Sequence, residues 1–221
     1  MQSSGQLRIL IADDHDIVRG GLRTLLSSQP GWVICAEAST GREAITKAEQ
    51  HRPDIVIMDL AMPHLNGLEA TRRIRKMLPK TEILILTLHY AEQLVRDAVE
   101  AGAHAYILKS DAERDLLIAV KALANRGSFF TAGAAQIIID SALNKDLESK
   151  PGRLKHKRLT SREREIVQLV AEGKSSKEVA GMLGLSTKTA ETHRANLMRK
   201  LELHSVSELV RYAIRNRVIE P

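Results

Sequence analysis

Five short apolar runs recur through the first half of the chain: LRILIA from Leu7, WVICAEA from Trp32, DIVIMDL from Asp54, EILILTL from Glu82 and AYILK from Ala105. Each has the length of a strand. They are crowded with Ile, Val and Leu and do not alternate polar with apolar, which is the pattern of parallel strands covered on both faces. Segments of helical period separate them, over 16–28, 41–50, 68–77, 92–101 and 113–124. This alternation predicts a five-stranded, doubly wound parallel sheet with helices on both sides, and right-handed crossovers leave few topologies for it.

After the fifth run the pattern changes. Residues 131–147 predict one further, weakly amphipathic helix, and 148–158 (ESKPGRLKHKR) join Pro-Gly to a cationic run without apolar period, the mark of a linker. From Leu159 onward the sequence is helical in period throughout. The organisation expected is therefore a first domain over 1–126, a linker with a helix over 127–158 and an all-α domain over 159–221. Charge divides the same way. Residues 1–144 hold 16 Lys and Arg against 17 Asp and Glu, whereas 145–221 hold 17 against 10. A neutral first part with a basic tail suggests that the tail binds an anion such as nucleic acid, although a basic surface can also be merely solvated.

Hydrophobic residues make up 43% of the 221, enough for a sizeable core, but aromatics are only 3%, so aliphatic packing must build it. The single cysteine, Cys35, excludes an intramolecular disulfide and reads as a buried small hydrophobe. No apolar stretch is long enough to span a bilayer and the N-terminus lacks a basic-then-apolar signal pattern, so a soluble, cytoplasmic protein without membrane contact is expected.

The chemistry-bearing residues fall where the strands should end. Asp13 and Asp14 follow the first run, Asp59 closes the third, Thr87 the fourth and Lys109 the fifth. Adjacent carboxylates each raise the cost of ionising the other, so the pair is unfavourable unless a cation is shared. In an open parallel sheet, ligands bind outside the carboxyl ends of the strands, near the point where strand order reverses. Three carboxylates there favour a hard divalent ion that keeps several waters, Mg²⁺ more than Ca²⁺. Taken singly each residue has a plainer role: aspartates after strands often cap helices, and a lone lysine is often a surface charge. The joint placement at four strand ends is what those roles explain poorly. His15 and His89 are read from their spacing as peripheral to the ion.

The segments ILIADDH, DIVIMDLAMPHLNGLE, LILTL and AGAHAYILK together resemble the receiver domain of bacterial response regulators, a flavodoxin-like fold, over roughly residues 7–125. The resemblance implies that Asp59 accepts a phosphoryl group from a phosphohistidine on a sensor histidine kinase. It implies that Asp13, Asp14, Asp59 and the backbone carbonyl of Ala61 hold Mg²⁺, that Thr87 and Lys109 stabilise the phosphoryl, and that Tyr106 is the switch aromatic. From sequence alone the safer reading is a tyrosine on an edge strand, packed and half exposed. Pro63 biases Met62 to an extended conformation and Gly67 permits a tight approach beyond Asp59. Ala105 stands where the family often has glycine, and Ala61 and His89 occupy variable positions.

In the basic part, LTSREREIVQLVAEGKSSKEVAGMLGLSTKTAETHRANLMRKLEL predicts a helix begun by Thr160-Ser161 and ended at Gly173, a second over 176–183 stopped by Gly184, and a third over 188–201. Two short helices around a glycine turn, the second carrying Lys188, His193, Arg194 and Arg199, fit a helix-turn-helix. The segment resembles the LuxR-type DNA-binding domain, so the whole chain resembles a response regulator of the NarL/FixJ type. By that resemblance Lys188, Thr189, Glu191, Thr192 and Arg194 lie at the DNA-facing half of the recognition helix. Lys188 and Lys200 are assigned to phosphates, and Glu191, Thr192 and Ala195 to base edges. Ala190 stands where the family usually has valine. In the last helix, over 205–217, Val206, Leu209, Val210 and Ala213 form a stripe, part core and part dimer contact.

The function implied is a two-component response regulator that binds double-stranded promoter DNA as a homodimer when active, and is not an enzyme beyond its own phosphoryl transfer and loss. Two other classes fit parts of the pattern. A Mg²⁺-dependent phosphohydrolase would also use an aspartyl-phosphate, but it leaves the basic domain unexplained. A protein-docking module without DNA would show no salt-sensitive binding to a duplex.

Overall fold

The computed structural model describes residues 6–88, 90–144, 159–216 and 218–219. The linker expected over 148–158, the variable-position His89 and the expected end of the last helix at Arg217 lie outside the described residues. The chain forms two compact units, one around the sheet and one of four helices.

The first unit runs β1 (Leu7–Ala12), α1 (Asp16–Ser27), β2 (Trp32–Ala38), α2 (Gly41–His51), β3 (Ile55–Met58), α3 (Gly67–Met77), β4 (Glu82–Thr87), α4 (Glu92–Ala101), β5 (Ala105–Leu108), α5 (Ala112–Ala124), β6 (Phe129–Phe130) and α6 (Ala132–Asn144). All strand pairs are parallel, in the order β2-β1-β3-β4-β5-β6. The aliphatic runs are buried on both faces. Ile9, Ile11, Ile55, Ile57, Leu84, Leu86 and Ile107 pack on Leu22 and Leu26 of α1 and Leu116, Val120 and Leu123 of α5. Their sequence neighbours Leu10, Val56, Met58, Ile83 and Ile85, which strand geometry turns to the opposite face, are equally buried.

The sheet has six strands where the runs predict five. Phe129 and Phe130 pair with Ala105 and Tyr106. A two-residue strand offers no periodicity to read. It is positioned instead by the turn at Arg126, whose φ of +60° reverses the chain after α5, and by a hydrogen bond to the residue before β5, Phe129 N–H donating to the His104 carbonyl at 3.0 Å. Beyond it, α6 packs on α4, and Tyr90 lies against Gly133, where a Cβ would come 2.5 Å from the tyrosine hydroxyl. Residues 129–144 thus belong to the compact first unit. Cys35, on the edge strand β2, is half-buried and not fully so; burial nevertheless raises its thiol pKa.

The second unit comprises α7 (Ser161–Ala171), α8 (Ser176–Leu183), α9 (Thr187–Leu201) and α10 (Val206–Arg215). Every one of these helices opens on a hydroxyl cap, from Thr160, Ser175, Ser186 and Ser205 in turn. At Thr160 and Ser175 the capping box is complete, with Glu163 and Glu178 reaching back to the cap N–H. Gly184 ends α8 at φ +63°, a left-handed conformation that glycine adopts without steric cost. Ile166, Leu169, Val179, Leu183, Ala190, Leu197, Leu209 and Ala213 form one core.

Candidate functional site

Strand order reverses between β1 and β3, and that is where the carboxylates gather. Ala12 pairs with Met58, and Asp59 N–H donates to the Ala12 carbonyl at 2.8 Å, so Asp13 and Asp59 leave the sheet side by side. Thr87, at the end of β4, pairs with Leu108, which delivers Lys109 to the same edge. Asp13, Asp59 and Thr87 are all buried. Lys109 Nζ lies 2.7 Å from Asp13 Oδ2 and 2.9 Å from Asp59 Oδ2, its side chain 9% exposed. A single ammonium therefore bridges two buried carboxylates. Burial raises the Asp59 pKa, Lys109 works against that shift, and the negative charges of Asp13 and Asp14 add to it. Burial pulls Lys109 downward, but the carboxylates of Asp13 and Asp59 outweigh it and its pKa is raised.

The loop after β3 is shaped around Asp59. Leu60 N–H donates to Asp59 Oδ1 at 2.8 Å and fixes the carboxylate plane. Gly67 N–H donates to the Leu60 carbonyl at 2.9 Å. A Cβ at Gly67 would stand 1.9 Å from the Asp59 carbonyl oxygen, a closeness only glycine tolerates. Ala61, two residues past Asp59 on this loop, is partly buried.

The chemistry of the donor set fits a hard divalent ion. Asp13, Asp14 and Asp59 each bring a carboxylate oxygen into a group spanning at most 4.8 Å. Asp13 Oδ2 and Asp14 Oδ1 are buried and receive no well-directed hydrogen bond, although Lys109 and His15 stand at ion-pair distance from them. Buried acceptors left in this way cost free energy that a cation would offset.

His15 sits at the rim of this group, its ring 55% exposed and Nδ1 2.9 Å from Asp14 Oδ1. Its backbone N–H donates to Asp13 Oδ1 at 2.9 Å. The chain curls at that point and brings the ring back over the acids, whereas spacing along an extended chain would carry it away. The outer parts of the site had a weaker sequence signal. Arg19, one turn into α1, donates to the Asp13 carbonyl at 2.7 Å and also pairs with Asp16, so Asp16 serves the start of the helix and not the ion.

Tyr106 is 1% exposed and fully buried, not half exposed. β6 pairs alongside β5, so Tyr106 stands inside the sheet and not on its edge.

In the second unit, Lys188, Thr189, Glu191, Thr192 and Ala195 are exposed along α9, with Arg194 partly so, while Ala190 is buried in the core. Thr192 Oγ1 donates to the Lys188 carbonyl at 2.9 Å. Lys200 differs from the other cations, since its Nζ lies 2.6 Å from Glu163. On α10, Leu209 and Ala213 are fully buried in the unit's own core, Val210 is partly buried and Val206 is 41% exposed. Of that stripe only Val206 and Val210 have surface to offer. One open pocket of about 440 Å³ lies beside Trp32 and Asp54, and another of about 420 Å³ lies against Tyr212 of α10. Neither borders Asp59.

Residues 9–121 match the response regulator receiver domain family, and 157–213 match the family of bacterial regulatory proteins called luxR. The oxygen regulatory protein NreC of Staphylococcus haemolyticus is 36% identical over 216 residues, covering 97% of this chain and all of that protein. A LuxR-family two-component response regulator from Aurantimonas sp. is 38% identical over 62% of this chain and 97% of that one, with a TM-score of 0.58. A structure of two RcsB dimers bound to two parallel DNAs is 26% identical over 94% of this chain and 98% of that one, with a TM-score of 0.56. The chain belongs to the two-component response regulators of the NarL/FixJ type, a receiver domain joined to a LuxR-type helix-turn-helix DNA-binding domain.

Proposed function

We propose that Asp59 is the phosphoacceptor of this regulator. It would take a phosphoryl group from a phosphohistidine on a sensor histidine kinase in a Mg²⁺-dependent reaction, and the phosphorylated chain would bind double-stranded promoter DNA as a homodimer. One observation carries the reading: Lys109 bridges Asp13 and Asp59 at the point where strand order reverses.

In this reading the carboxylate of Asp59, held in plane by Leu60 N–H, forms a P–O bond as the P–N bond of the donor breaks. The electron pair of the broken bond leaves with the imidazole. Such transfers depend mainly on positioning and charge neutralisation. Mg²⁺, held by Asp13, Asp14, Asp59 and the Ala61 carbonyl, would supply Lewis-acid neutralisation of the phosphoryl oxygens. Lys109 stands beside Asp59, where it would neutralise one phosphoryl oxygen, and the Thr87 hydroxyl would hydrogen-bond another. The ammonium now shared between two carboxylates would then turn in part to the phosphoryl. Tyr106, one strand over, would report the movement of Thr87. The added charge of about −1.5 to −2 shifts an equilibrium that already exists in the receiver.

On the DNA side, the exposed row Lys188, Thr189, Glu191, Thr192, Arg194 and Ala195 is assigned to the major groove. Val206 and Val210 are assigned to pairing with a second copy. The structure of RcsB dimers bound to DNA supports binding to a duplex as a dimer. Incubation with acetyl phosphate and Mg²⁺ tests the acceptor directly. The chain should take up acid-labile phosphate and Asp59→Asn should take up none; equal uptake by the variant removes Asp59 from the role.

A further inference from the structure

Glu163 and Glu178 stand three residues past the caps of α7 and α8 and close their capping boxes. Glu208, three past the cap of α10, accepts the His204 N–H at 2.6 Å. In α9 the corresponding position holds Thr189, whose hydroxyl meets that of the Ser186 cap at 2.7 Å. The acid of this helix, Glu191, comes two residues later, beyond a first turn that holds none. It therefore neither caps the helix nor stands where the helix dipole favours a negative charge. Lys188 and Arg194 lie three residues to either side, at ion-pair spacing. Yet among the described residues no ion pair or hydrogen bond holds the Glu191 side chain. Lys188, Glu191 and Ala195 are exposed along the side of α9 away from buried Ala190 and Leu197.

A carboxylate left free in a row of cations is repelled by phosphates, so against a duplex it is favourable only where it meets a hydrogen-bond donor, and those lie on the base edges. We propose that Glu191 selects cytosine, its carboxylate accepting a hydrogen bond from the N4 amino group in the major groove. The inference rests on the assignment of α9 to that groove. Two base donors are presented there, adenine N6 and cytosine N4. Adenine sets N6 beside the N7 acceptor, which repels a carboxylate, whereas cytosine presents its donor with no acceptor of its own beside it. A glutamine at this position would match adenine instead, donating to N7 and accepting from N6. The free charge of Glu191 also penalises any site that offers it no donor, so discrimination comes from repulsion as well as from the bond.

The test is selection of duplexes from a random pool by the full chain, treated with acetyl phosphate and Mg²⁺, followed by anisotropy titration of the selected duplex and of a scrambled one. The wild type should enrich cytosine at one position of each half-site. Glu191→Gln should enrich adenine there, and Glu191→Ala should show no preference. Changing that cytosine should weaken binding by the wild type about 5- to 150-fold and leave binding by Glu191→Ala unaffected. Both variants should hold the scrambled duplex more tightly than the wild type does, since a repelled charge is gone. Variants that select the same bases as the wild type, or that lose affinity equally for both duplexes, overturn the role of Glu191 and leave DNA binding by α9 standing. A wild type that binds no duplex removes the assignment of α9 to DNA and the inference with it. Glutamine has the shape of glutamate and is as good a helix former, so a changed base preference in that variant does not come from unfolding.

Discussion

At the scale of single residues, Asp59 carries an electrostatic conflict. It is buried, and burial together with Asp13 and Asp14 raises its pKa despite Lys109. A carboxyl whose pKa is higher folded than unfolded holds its proton more tightly in the native state, so it lowers stability as pH rises through the window between the two values. That window opens at the ordinary aspartate value of 3.8 and extends upward. In EDTA, Asp59→Asn should therefore be more stable than the wild type at pH 7, with the advantage shrinking toward pH 4; urea unfolding at the two pH values measures it, and a gain that does not depend on pH contradicts the assignment. Gly67 gives a second expectation. Alanine there would drive a Cβ to 1.9 Å from the Asp59 carbonyl oxygen, so it should cost at least about 1–3 kcal/mol of stability and also slow phosphoryl uptake by moving the acceptor. A variant that unfolds like the wild type would show that the loop relaxes freely.

At the scale of elements, what could be read beforehand follows from how much periodicity each element carries. The five aliphatic runs became β1 to β5, and α4 and α8 were predicted to the residue, because apolar spacing and terminators agree there. The strand β6 was not readable. Two phenylalanines after a turn carry no period, and only the exposed hydrogen-bonding edge of β5 makes them a strand. The same omission put Tyr106 on an edge strand, whereas β6 flanks β5. How closely His15 stands to the acids was not readable either, since it depends on the local curl set by its own N–H bond to Asp13. The placement of Asp13, Asp59, Thr87 and Lys109 was readable because alternating strands and helices bring all strand ends to one edge.

The caps of the second unit support a prediction at this scale. Glu163 both completes the capping box of α7 and pairs with Lys200 of α9. Burial pushes its pKa up, but Lys200 and the Thr160 donors outweigh that and hold it below the usual 4.5. The stability it contributes is thus present above pH 4.5 and lost as pH falls through its lower folded value. Glutamine can still close the box, so Glu163→Gln should lose only the ion pair, about 0.2–1 kcal/mol. Glu163→Ala should lose the cap as well, about 0.5–2 kcal/mol in all. Thermal melts at pH 7 and at successively lower pH separate the two, and the deficit of the glutamine variant should shrink as pH falls below 4.5.

At the scale of the whole molecule, charge is the property that tells the two parts of the chain apart. The surplus of cations lies beyond residue 144, and within the second unit it is not evenly available. Lys200 is held by Glu163 at 2.6 Å, whereas Lys188 is exposed at the start of α9, on the row that includes Arg194. A duplex releases condensed counterions as each phosphate is neutralised, and log affinity falls against log salt with a slope of about 0.9 per contact. If Lys188 and Arg194 each meet a phosphate, replacing both by alanine should flatten that slope by about 2. The loss of affinity should be nearly uniform across sequences, since phosphate contacts position the protein without reading bases. Lys200→Ala should change the slope by less, because its charge is already shared with Glu163. Should Arg194 read a base edge instead, its single replacement would relax preference at one position of the site and cost about 1–3 kcal/mol there, with a slope change of about 1 left for Lys188 alone. Fluorescence anisotropy at several salt concentrations, on one specific and one scrambled duplex, separates these outcomes. A slope untouched by the double replacement would move the DNA contact off this face of α9 altogether.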